Sequence, residues 1–125
     1  MTITLSQVQD FIVFYHKISD AMLPLEASFK LARTYTACQE QFNFYQTEWH
    51  KIIVAYCDLD EAGNPIRNGD GFKIDPAKRV DCEKALTELA SFQVEVPDCL
   101  ISIKTLPPAN FTPEELHSVL PFLTD

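Results

Sequence analysis

An α+β fold, mostly helical and built on one long central helix packed by shorter ones, is what this sequence predicts. Three observations carry that expectation. From Tyr35 the apolar residues step Tyr35, Cys38, Phe42, Tyr45, Trp49, Ile52, Tyr56, alternating three and four, which is the helical period. Capping and proline signals cut the rest of the chain into shorter helical pieces, and the intervals between them hold turn residues and β-branched runs. The 125 residues are read as a single domain, 1–125, able to bury an ordinary core at 46% hydrophobic and 22% charged.

The first helix, over about residues 5–22, opens at Thr4 or Ser6 as cap and carries Leu5, Val8, Phe11, Ile12, Tyr15, Ile18 and Met22 on one face. Leu23-Pro24 ends it. Proline cannot donate the next hydrogen bond but suits the first turn of a new helix, so a short connection leads into the long helix, residues 25–57. At about 1.5 Å per residue that helix measures roughly 48 Å, against a radius of gyration near 14 Å for a compact chain of this length. Leu25, Phe29 and Ala32 project to a different side from Phe42, Trp49 and Ile52. The expected buried stripe therefore changes sides, with the first helix covering one half and a later element the other. A homotypic coiled coil competes for the heptad, but five aromatics at seven seam positions favour packing within the chain.

The segment 58–75 holds all three glycines. Gly63-Asn64-Pro65 and Asn68-Gly69-Asp70-Gly71 are turn chemistry, and Ile66-Arg67 with Phe72-Lys73-Ile74 can pair as a small β-hairpin. Such a hairpin is marginal alone and must rest on a helix or a partner. Asp75-Pro76 starts a third helix, about 76–92, with Val80, Cys82, Leu86, Leu89 and Phe92 facing inward. Val94-Glu95-Val96 and Leu100 to Ile103 read as short C-terminal strands within 93–104. Thr112-Pro113-Glu114-Glu115 is a capping box that opens a last helix, about 113–121.

A net charge of −8 and a pI near 4.7 oppose binding to nucleic acid or to an anionic membrane. Acidic mimicry of nucleic acid wants one concentrated face, whereas these carboxylates are scattered from Asp58 to Glu115. Cys38, Cys57, Cys82 and Cys99 contain no close pair of zinc or redox spacing, and Cys38 lies on the apolar seam; they read as free thiols of a cytoplasmic protein. Asp58-Leu59-Asp60-Glu61-Ala62-Gly63 begins like a calcium loop, but its fifth position is Ala62 and its twelfth Gly69. His16, His50 and His117 fall in different helices, and Cys57 and His50 stand two turns apart, about 10 Å, too far to form a catalytic pair unaided. These readings assign no catalytic residue, metal ligand or cofactor. The residues picked out for partner contact are Phe44, which falls off the seam, and Asp58, Asp60, Glu61, Ile66, Arg67 and Phe72 on the turn-rich projection.

Several segments together resemble a known family. Pro24 followed by Ser28-Phe29-Lys30-Leu31-Ala32-Arg33, the long helix closing at Tyr56, Asp60-Glu61-Ala62-Gly63-Asn64, Gly71-Phe72-Lys73-Ile74, Glu95-Val96 and Thr112-Pro113-Glu114-Glu115-Leu116 are similar to small proteins of tailed phages and prophages of Gram-positive bacteria, a family without an assigned activity. The likeness spans nearly the whole chain and rests on caps and turns rather than reactive groups. It implies a phage accessory or morphogenesis protein acting without catalysis, as a homo-oligomer, on a virion component, another phage protein or a host protein. The location implied is the host cytoplasm, with or without a place in the virion. The alternative is an acidic inhibitor that fills the basic site of a host defence or nucleic-acid enzyme.

Overall fold

A computed structural model describes residues 1–69, 71–106 and 111–125. The chain is α+β and 61% helical, as the sequence predicts. It divides into two compact units, Met1–Phe42 with Gln93–Asp125, and Asn43–Phe92.

The first unit begins with β1 (Thr2–Thr4), which runs straight into α1 (Leu5–Ile18). Thr4 ends the strand and caps the helix, accepting from Gln7 N at 3.2 Å while Gln7 Oε1 accepts from Thr4 N at 2.9 Å. This reciprocal box satisfies two N–H groups that have no partner inside the helix. α1 stops at Ile18, four residues short of the Met22 expected, and Met22 is 98% exposed. Ser19 and Asp20 are better in turns than in helices, and Ala21 N closes the turn on the Ile18 carbonyl at 3.1 Å.

Val8, Phe11, Ile12, Phe14 and Ile18 face inward from α1 and pack with Leu31, Cys38, Val96, Cys99, Ile101, Val119 and Phe122, and Leu5 is fully buried at the start of the helix. Phe11 and Phe122 meet at 4.5 Å between ring centroids. Two small sheets close the unit. β1 pairs antiparallel with β4 (Gln93–Glu95), and β5 (Ile101–Ser102) pairs parallel with β6 (Leu123–Thr124). Of the strand expected from Leu100 to Ile103, only Ile101–Ser102 is extended; Ile103–Thr105 turns as 3-10 helix, capped by Ser102. α4 (Pro113–Ser118) starts at the Thr112–Glu115 box that the sequence marks, then gives way to a 3-10 turn at Leu120–Phe122.

The second unit holds β2 (Arg67–Asn68), β3 (Gly71–Phe72) and α3 (Pro76–Ala90). The hairpin forms with Arg67 opposite Phe72; Asp70, in the expected turn, lies outside the described residues. It rests on a small core of Ile53, Cys57 and Cys82, bordered by Trp49, Ile52, Tyr56, Phe72, Ile74 and Leu86. Asp75 caps α3, accepting from Ala77 N at 2.9 Å. Two inward assignments on α3 are corrected, since Val80 is 73% and Phe92 54% exposed. Val80 stands about 200° around the helix from Cys82, whereas Leu86 and Leu89 stay on the Cys82 side.

α2 (Leu25–Tyr56) contributes its first half to one unit and its second half to the other. Within the first unit Leu31, Tyr35, Cys38 and Phe42 supply its share of the core, and within the second Trp49, Ile52, Ile53 and Tyr56 do so. Leu25, Phe29 and Ala32, expected in the core, are exposed, because Ala27 and Leu31 take the inward positions of that turn. The seam is thus occupied within the chain.

Candidate functional site

Asp58 to Phe72, with Phe44, forms the candidate contact surface, and all of it belongs to the second unit. Its conformation is set by backbone pairing around Asp58. Asp58 N donates to the Lys73 carbonyl at 2.8 Å, Ile66 N donates to the Asp58 carbonyl at 2.9 Å, and Lys73 N donates to the Ile66 carbonyl at 2.8 Å. Bridges at Cys57–Ile74 and Leu59–Pro65 extend this pairing on either side.

The acidic turn beyond it is held by one carboxylate. Asp60 Oδ1 accepts from both Ala62 N and Asn64 N at 2.9 Å, and Gly63 takes φ +81°, a left-handed conformation that suits glycine. Asp60 Oδ1 thereby ties the turn to itself from within. Asp58 is half-buried with Oδ2 at 3.9 Å from Lys73 Nζ, while Glu61 is exposed.

The apolar candidates separate by exposure. Phe44 is 43% exposed and its ring lies 6.2 Å from that of Phe92, so two partly exposed aromatics stand side by side. Sequence reasoning placed Phe92 inward and missed this pairing, because α3 ends at Ala90 and Phe92 no longer follows the helical spacing from Cys82. Phe72 is half-buried, with its ring 5.8 Å from Trp49 and the Arg67 guanidinium 5.3 Å above it. Ile66 is also half-buried. Phe44, Glu61 and Arg67 therefore offer reach to a partner, whereas Phe72 and Ile66 chiefly anchor the hairpin.

The thiols lie inside the two units. Cys38 and Cys99 share the first core and Cys57 and Cys82 the second, all below a tenth exposed. Burial, with Cys99 close by, pushes the Cys38 thiol up to about 12. Burial also raises Cys99, opposed by Thr34, Lys30 and Arg33, and it raises Cys82, with Cys57 and Glu83 adding to the rise. Such thiols stay protonated and are poor nucleophiles. Among the described residues no group of three or more His, Cys, Asp or Glu is arranged to hold a metal ion, and no helix is long and apolar enough to cross a membrane.

No family model, no curated protein and no solved structure matches this chain.

Proposed function

We propose that this chain is a non-catalytic contact protein of a tailed phage, an accessory or morphogenesis factor that binds a virion component, another phage protein or a host protein. The observation that carries the contact reading is the Phe44–Phe92 pair, two large apolar side chains 43% and 54% exposed in one unit. Exposed aromatics placed together are characteristic anchors of protein interfaces, since each buries a large area at small entropic cost. The Asp60 turn of the same unit, fixed by its own hydrogen bonds, is preorganised, which lowers the cost of docking. The phage assignment is supported by the resemblance of the caps and turns described above.

The test is photocrosslinking during phage growth. A benzophenone amino acid replaces Phe44, or Arg67, in the full chain, with Thr87 on α3 as an exposed control. The reading expects adducts with one phage or host protein from positions 44 and 67 and none from 87. Equal labelling from all three positions, or none from any, contradicts it. A salt-sensitive adduct with a basic nucleic-acid enzyme would favour the inhibitor alternative.

A further inference from the structure

On the first half of α2 a groove of about 530 Å³ is lined by Phe29, Ala32, Arg33, Thr36, Ala37 and Glu40, together with Pro97 from the segment after β4. All belong to the first unit, and all are exposed except Ala37 and Pro97, which are half-buried. Phe29 is 63% exposed, on the side of α2 away from Leu31 and Cys38. The face is apolar and small in its middle, with one cation toward its start and one anion at its end.

That order of charges is self-complementary. If a second α2 lies antiparallel across this face with the two-fold axis between Arg33 and Thr36, residue 29 stands opposite residue 40 of the other copy, 32 opposite 37, and 33 opposite 36. Ala32 and Ala37 then meet as small against small, which lets the helices approach closely. The Arg33 guanidinium leans over the Phe29 ring at 5.9 Å, which brings it beside the position facing Glu40 of the second copy. It already donates to the Asp98 carbonyl at 3.3 Å, and its remaining N–H groups are enough for a carboxylate. Glu40 has no ion-pair partner among the described residues. The two-fold operation forms each contact twice, as an isologous interface requires.

We infer that a second copy of this chain docks antiparallel on the Phe29–Glu40 face of α2, with Arg33 of each copy paired to Glu40 of the other. This adds a second copy of the chain to the partners of the contact reading proposed above and rests on that reading's premise that the chain works by contact. The face is distinct from the Phe44–Phe92 surface, so either can fail alone. Loss of self-association leaves the photocrosslinks at positions 44 and 67 unchanged, and loss of those crosslinks leaves self-association unchanged.

The experiment is light scattering of purified full chains at matched concentrations, with circular dichroism to show that each variant keeps its helix content. Wild type is expected to dimerise. Arg33→Glu sets acid against Glu40, and Glu40→Arg sets base against Arg33. Each is expected to weaken self-association by at least about tenfold, because like charges face each other twice. Mixing the two variants restores both opposite-charge pairs, and a one-to-one heterodimer is expected. Arg33→Glu combined with Glu40→Arg in one chain is expected to dimerise again. A monomeric wild type overturns the inference, as does a dimer indifferent to both reversals, or variants that fail to recover on mixing.

Discussion

Tyr15 and Tyr35 stack ring on ring, 4.1 Å between centroids and 14° from parallel, joining α1 to α2. His16 stands edge-on to both rings, 6.0 Å from Tyr15 and 5.6 Å from Tyr35. The stack shows why the heptad seam is used inside the chain: its first aromatic already has an intramolecular face to cover. In a double-mutant cycle with Tyr15→Leu and Tyr35→Leu, the coupling measured by urea unfolding should be about 0.5–1.5 kcal/mol.

Phe11 is fully buried against Phe122 and sits at the middle of the first core. Phe11→Ala should cost about 3–5 kcal/mol, a large part of the roughly 5–15 kcal/mol that a domain has in total. Thermal unfolding followed by circular dichroism measures it. Val80→Ala, exposed on α3, should change the midpoint hardly at all.

Thr34 has the opposite problem. Its side chain is fully buried on α2, and the polar neighbour of its hydroxyl is the Cys99 thiol, a weak hydrogen-bonding group. A buried hydroxyl left without a strong partner costs up to about 1–3 kcal/mol. Thr34→Val keeps the branched shape and removes that group, so chemical denaturation should show the variant about 1 kcal/mol more stable or at least no weaker. Thr34→Ser keeps the hydroxyl, removes a methyl and should be less stable than wild type.

The buried thiols predict alkaline sensitivity. Cys38 ionises near 12 when folded against an ordinary 9.0, and Cys82 and Cys99 are raised as well. Above pH 9 the unfolded chain gives up these protons while the folded chain retains them, so stability falls as pH rises from 9 toward 12. Urea midpoints should decline across that window, and Cys38→Ala should flatten the decline. At pH 8 a thiol reagent should label the native chain slowly and all four cysteines promptly once it is unfolded.

The Thr112–Glu115 box links α4 to α1 through the Lys17–Glu115 ion pair. The hydrogen bond from Lys17, then that from the Thr112 backbone, holds the Glu115 carboxyl below its ordinary 4.5. Its contribution is therefore present above 4.5 and is lost as pH falls through the lower folded value. Glu115→Gln should blunt the acid limb of the stability curve below pH 4.5. Thr112→Ala removes the cap and should cost about 1 kcal/mol with little pH dependence.

Local signals were the most legible part of the fold. Thr4, Asp75 and Thr112 each cap a helix through short-range chemistry that a sequence displays, and the 3-4 stepping marked the long helix within a residue of its end. The inward side of its first turns was misread, because Phe29 and Leu25 are larger and more apolar than Ala27, which is buried there. Size and hydropathy do not reveal which face the neighbouring helix occupies. The β1–β4 and β5–β6 pairings join residues far apart in the chain, and strands of two or three residues leave no periodicity to read. At the candidate surface, Phe44 stood out because it breaks the seam, while Phe92 became visible only through its contact with Phe44.

The chain is proposed to work by contact, first of all with itself. Sedimentation equilibrium of the unmodified chain, at low salt and at about 0.5 M where screening reaches within a few Å, tests it most directly. A species of twice the 14.2 kDa chain mass is expected at low salt, weakened but still present at high salt as its apolar centre persists. A single species of 14.2 kDa at both salt concentrations would contradict it.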